Sequence, residues 1–405
     1  MKRFPVLLLV VPSLLLVASC GGGSSSNQPP SKTSHRAFIS NTYSGNLQII
    51  DTQDDTTPLT PETTSSTGQL IPGQPVTITV STSLTFMAEN AGLTTTLAYD
   101  PVANLLNFVT NSTETASFSV SPTAAPTMAL FSPDGSTLYV PERNLPVSGE
   151  RSGGVEFITI STGQISAAYA VPSASAIALS PSGQYLIVFA DNSDSIVLID
   201  LKATTITPVG IGGFARPVNA FFSTDSNTAY VLNCGPECGS AGPASVSQFD
   251  IPSQTIKATV PVGGASVGLL SGTTLYVAGT PGTAGSYDVV DVGSMTRVTT
   301  NSVAIGDGTH TTMALSSNKM LYIGATSCLN QTTGCLSIVD TSNNNAVQGL
   351  PPRGPITGML AINGRNTMYV IQGGYLVIYD TTTNAPQSKQ VVFTGSLYTL
   401  VQVDQ

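Results

Sequence analysis

A chain of 405 residues with 9% charged and 41% hydrophobic residues is too apolar to be disordered. Its formal net charge of −9, with 14 Lys and Arg scattered along the whole length, leaves no basic cluster for a phosphate backbone, which excludes nucleic acid as a partner. With 38 Gly, 27 Pro and no long segment of helical period, the composition is that of many short strands joined by tight turns.

The chain opens MKRFPVLLLVVPSLLLVASC. Lys2 and Arg3 form a positive head. Residues 4–18 are an apolar run, too short to cross a bilayer comfortably and broken by Pro12. Residues 1–19 therefore read as an export signal. Val17-Ala18-Ser19-Cys20 resembles a bacterial lipobox, with Val17 where Leu is usual. That resemblance implies a lipid on Cys20 as the first mature residue. The stretch that follows, GGGSSSNQPPSK, is a flexible Gly/Ser tether, so residues 20–35 are expected to link lipid to body. Gly21 rather than Asp after the cysteine implies outer-membrane sorting. The expected address is the bacterial cell envelope, with the membrane reached through the N-terminal lipid.

From residue 36 a pattern repeats. A hydrophobic run usually closed by Asp occurs as LQIID (47–51), TTLAYD (95–100), VEFITI (155–160), IVLID (196–200), VSQFD (246–250), YDVVD (287–291), LSIVD (336–340) and LVIYD (376–380). A second run precedes each, as in AFISN, LYVPERN and MYVIQ. A third run with a reversing turn precedes most of these, as in ALFSPDGS and ALSPSGQ. Each unit reads as a four-stranded antiparallel sheet whose turns are set by Pro, Asp, Gly and Asn. Such a sheet is apolar on both faces and cannot bury them alone. Packing sheets around a ring covers both and leaves short, protected edges. The spacing of the units is that of propellers.

The first unit lacks an innermost strand, and SLYTLVQVD (396–404) supplies a spare one at the other end. The expected fold is all-β: one β-propeller over residues 36–405 with eight four-stranded blades, seven being the alternative. The C-terminal strand closes it by pairing with the N-terminal blade. The second unit, placed at residues 73–118, is the least regular.

AFISNTYSGNLQIID, FSPDGSTLYV and MYVIQGGYLVIYDTTTNA resemble the YVTN-type β-propeller repeat, and the likeness covers most of residues 36–404. It departs in units two, five and six, where the turns are degenerate. Relatives of that repeat include surface-layer proteins, lactonase-like propellers and the haem-binding domain of a nitrite reductase. The resemblance therefore implies a fold strongly and a function hardly at all.

Four further cysteines sit in two short stretches, Cys234 and Cys238 in NCGPECG, Cys328 and Cys335 in SCLNQTTGC. After export to an oxidising compartment, pairing within each stretch closes a loop between adjacent strands. Neither spacing is that of a zinc knuckle.

In a propeller, the loops joining blades and the loops between second and third strands open on one face. That face is expected to carry the cysteine loops and PERNLPVSGERSGG, with Glu142, Arg143, Glu150 and Arg151. Long stapled loops are where binding is usually built. Around the channel mouth on this face stand Arg216, His310 and Arg353. An arginine there offers a planar fork to a carboxylate or phosphate. His310 is the one histidine outside the tether, since His35 is the other of two. Asp191, Asn192 and Asp194 in ADNSDS lack the downstream Glu of a calcium loop and read as a turn.

Several chemistries lack their residues. No Gly-x4-Gly-Lys loop is found, and Trp, expected in quinone-cofactor propellers, is 0. A haem would have only His310 as a spare axial ligand. SSNK at 316–319 matches Ser-x-x-Lys but falls in a strand turn. The expectation is a non-catalytic scaffold or binding module that takes a protein, glycan or small molecule, with no cofactor and no metal. The alternative is a lactonase-like hydrolase with Arg216 and His310 at the channel mouth. A structural surface-layer component is a third reading.

Overall fold

A computed structural model describes residues 31–146, 152–328, 335–346 and 354–404. Arg353, Glu150, Arg151 and Cys20 lie outside the described residues.

Eight antiparallel sheets stand around a ring, each a meander from the inside outwards. Blade 3 illustrates the plan, running Leu130–Phe131, Thr137–Glu142, Gly154–Thr159 and Gln164–Ala170. Blade 5 runs Pro217–Phe222, Thr228–Asn233, Ser245–Asp250 and Thr255–Pro261. The second and third strands are buried almost throughout, because a neighbouring blade covers each face. Apolar clusters therefore lie between blades rather than at one centre. One joins Ile187, Phe189 and Leu198 of blade 4 to Phe222, Val231 and Phe249 of blade 5. Another joins Leu97 and Phe108 of blade 2 to Phe131, Leu138 and Val140 of blade 3. The eight-blade expectation holds and the seven-blade alternative falls.

The ring closes as the termini require. Leu397–Gln402 is the innermost strand of blade 1 and pairs antiparallel with Arg36–Asn41, with Phe38 opposite Val401. Arg36 then binds Asp404 through Nε at 2.7 Å and Nη2 at 2.9 Å, and Glu114 of blade 2 through Nη1 at 2.8 Å.

Blade 2 corrects the sequence reading. It runs Met87–Glu89, Thr95–Asp100, Leu105–Thr110 and Thr115–Val120, so TTLAYD is the second strand and not the third. The blade does not begin at residue 73, because Thr77–Thr79 is the outermost strand of blade 1. The closing Asp marks a turn, not a strand position. Asp200, Asp291 and Asp340 accept the backbone N–H two residues on, at 2.9–3.0 Å, after third strands. Asp100 does the same to Val102 at 2.7 Å after a second strand. Residues 52–76 of blade 1, which include the small hairpin Thr63–Thr64 and Leu70–Ile71, shift the period there.

Candidate binding face

The blade order places the ends of the second strands and the starts of the innermost strands on one face. Glu142, Arg143, Arg216, His310 and both cysteine pairs share it, as the repeat register predicts. Cys234–Cys238 and Cys328–Cys335 are each disulfide-bonded. The disulfides fit an oxidising compartment. Among the described residues no helix is long and apolar enough to cross a membrane.

The singled-out residues do not converge on one cavity. Each ties a blade to its neighbour. Glu142 ends the second strand of blade 3 and is fully buried. Its Oε2 accepts the Ala124 N–H at 2.8 Å, while its Oε1 has no hydrogen-bond partner. Two rungs along the neighbouring strand, Glu156 accepts the Thr123 N–H at 3.2 Å and the Thr123 hydroxyl. Both acids thereby hold the 121–125 crossing from blade 2 to blade 3. Burial, and then the Glu156 carboxyl beside it, push the Glu142 carboxyl well above the usual range.

Arg143 reaches from blade 3 to Asp191 in blade 4. From blade 5, Arg216 donates its backbone N–H to Asp194 Oδ1 at 3.0 Å and an Nη1 hydrogen at 3.4 Å. The ADNSDS turn of blade 4 thus clasps both neighbours with its two aspartates. Arg216 has a positive φ of 54°, uncommon for a side chain of its size, and its Nε is buried without an acceptor.

His310 starts the innermost strand of blade 7 and is only 3% exposed. Its Nδ1 lies 3.3 Å from Thr280 Oγ1 of blade 6, and the ring also bonds the Gly306 backbone. Burial pulls the imidazole down to about 4. Thr280 in turn donates its N–H at 2.7 Å to Glu237, carried over from blade 5 by the single turn Gly235–Cys238. Burial raises the Glu237 carboxyl. Gly279 is needed beside it, since a Cβ there would stand 2.5 Å from Glu237 Oε2. The loop closed by Cys234–Cys238 therefore straps blade 5 to blade 6, and blade 6 holds blade 7 through His310.

Sequence reasoning passed over Glu156, Glu237 and Thr280. The available signal was a lone acid inside an apolar strand or a short stapled loop, which demands a partner when buried.

The innermost strands are almost free of ionisable side chains. The eight innermost strands carry no Lys, Arg or Asp, and their only acid is Glu89 and only histidine His310. A cavity of about 340 Å³ opens between the innermost strands of blades 3 to 5, lined by Met128, Leu130, Leu179, Asn219 and Phe221. Neither Arg216 nor His310 lines it. Among the described residues no group of three or more His, Cys, Asp or Glu is placed to hold a metal.

No family model matches the chain, and no curated protein does. Solved structures do. The complex of dihydro-heme d1 dehydrogenase NirN with DHE is similar over 93% of this chain and 78% of that one, with TM-score 0.66 and 11% identity. A functionally unknown protein from Desulfotomaculum acetoxidans is similar over 78% and 95%, with TM-score 0.51 and 14% identity. The Cps50 (Swd1) β-propeller domain of Myceliophteria thermophila is similar over 72% and 94%, with TM-score 0.53 and 10% identity. At these identities the likeness is one of fold.

Proposed function

We propose that this chain is a YVTN-type propeller exported to the cell envelope and held there by a lipid on Cys20, and that it binds a partner without catalysis. The observation that carries the reading is the opposition of its two faces. Ser31, the first described residue, donates its hydroxyl to Glu114 on the face away from the cysteine loops. A tether leaving there presents the stapled loops outward, toward a protein, glycan or small ligand. The polar residues of that face are committed to holding blades together, which suits a rigid platform. The hydrolase alternative draws no support from His310, which is buried and neutral at pH 7.

Two cysteine variants test the reading, Tyr43→Cys on the loop-rich face and Ser253→Cys on the other, both at exposed positions. Each is coupled to a bulky polymer. A thermal-shift screen of envelope glycans and peptides should give a ligand whose stabilisation is lost with the first coupling and kept with the second. The reverse pattern, or lactone turnover that disappears in His310→Ala, would overturn it.

A further inference from the structure

Blade 8 carries a second feature on the same face, at its outer rim. Its outermost strand is only Ala385–Pro386, so among the described residues most of the edge of Tyr375–Asp380 lacks a strand partner. Alternate residues of a strand send their N–H and C=O to the same side. Gly374, Leu376 and Ile378 face outward by this rule. The Gly374 carbonyl accepts the Leu397 N–H at 2.9 Å. The Ile378 carbonyl accepts the Gln387 N–H at 2.8 Å, and the Gln390 side chain adds to this, its Oε1 accepting the Ile378 N–H at 3.0 Å and its Nε2 donating to the carbonyl at 3.3 Å. The primary amide of Gln390, with its oxygen and syn N–H on one side, thus stands in for part of a missing strand.

Between these two satisfied positions, the N–H and C=O of Leu376 open into a groove of about 370 Å³, at the small end of ligand pockets. Tyr375, Val377, Gln390, Val392 and Phe393 stand around it, and none of its lining residues is charged. Tyr375 is 65% and Val392 85% exposed, so apolar surface flanks a backbone pair for which no partner is found among the described residues.

We infer that this groove is a binding site for a small uncharged ligand that offers one apolar residue flanked by two amides, as in an extended N-acylated amino-acid amide. The N–H and C=O of that residue, which point to one side when it is extended, donate to the Leu376 carbonyl and accept the Leu376 N–H. The gap admits one residue pair, so a strand from a folded second copy is too long for it. The uncharged lining in a chain of net charge −9 selects a neutral occupant. The site uses neither stapled loop, so its failure leaves the proposed binding face standing.

The test is amide hydrogen exchange by mass spectrometry on the intact protein, read on the peptide that contains residues 374–379. The probe is N-acetyl-Val methylamide at millimolar concentration, against its analogue N-methylated at the valine nitrogen. The first should slow exchange at Leu376 about tenfold and the second should not. Val392→Asp, at an exposed position that leaves the fold intact, should weaken the effect about tenfold. Unchanged exchange with the first probe, equal protection by the methylated analogue, or full protection in Val392→Asp would each overturn the inference.

Discussion

Arg36 and Asp404 are 368 residues apart in the chain and joined by a two-pronged ion pair. The Arg36 N–H also donates to Asp404 Oδ2 at 2.9 Å, so one carboxylate holds backbone and side chain of the strand it closes. The guanidinium continues to Glu114, which carries the seam of blade 1 into blade 2. Arg36→Ala strands two acids, one of them buried, and should cost about 3–5 kcal/mol in urea unfolding. Asp404→Asn keeps one acceptor and should cost less. Removing residues 397–404 should lower the melting point of the whole ring, because blade 1 then lacks its innermost strand. A truncated chain that melts like the intact one would refute the closure.

Stability should fall toward both ends of the pH range, through two identified groups. Burial pushes the Glu89 carboxyl up to about 8 from an ordinary 4.5. The folded state then holds the proton more tightly than the unfolded one. This stabilisation is complete below pH 4.5 and is lost as pH rises to about 8. His310 is displaced the other way, from 6.5 to about 4, so its contribution is present above pH 6.5 and lost as pH falls to about 4. Each tenfold change in proton affinity is worth about 1.4 kcal/mol. Melting curves should show Glu89→Gln flattening the alkaline slope and His310→Gln the acid slope. Unaltered slopes in both variants would count against these assignments.

Two glycines with positive φ should respond very differently to alanine. At Gly308, with φ of 120°, an added Cβ overlaps the Ser327 carbonyl oxygen, and the cost should be about 3 kcal/mol or more. At Gly68, with φ of 81°, a Cβ meets nothing within 4 Å, so only conformational strain of about 1 kcal/mol remains. Equal losses on denaturant titration would contradict the packing at Gly308.

The strap from blade 5 to blade 6 depends on one oxygen. Glu237→Ala leaves the Thr280 N–H without its acceptor and should cost about 1–3 kcal/mol. Glu237→Gln retains an acceptor and should cost under half as much. Similar losses for both would show that charge, not the hydrogen bond, matters.

Cell fractionation examines the proposed lipid on Cys20. Cys20→Ser should move the protein from the membrane pellet to the soluble fraction. Retention in the pellet after that substitution would exclude the lipid.

Much of this architecture is written locally. Alternating runs such as YLIVFA and SIVLID, punctuated by Asp and Gly turns, specify strands and reversals because side-chain period and turn chemistry act within a few residues. The incomplete first unit and the spare C-terminal strand announce closure for the same reason. The phase of blade 2 was not legible, because an Asp turn after a second strand looks the same as one after a third.

The roles of the polar residues were decided by the tertiary structure alone. In the sequence, Arg216 and His310 stand out as rare chemistry near a channel mouth, and Glu142 and Arg143 in a long loop of the same face. In the ring each finds its partner one blade away, in Ala124, Asp191, Asp194 and Thr280. Those partners lie 18 to 48 residues off in the chain. Such pairings arise only when sheets pack face to face, and no local pattern encodes which neighbour a buried charge will meet.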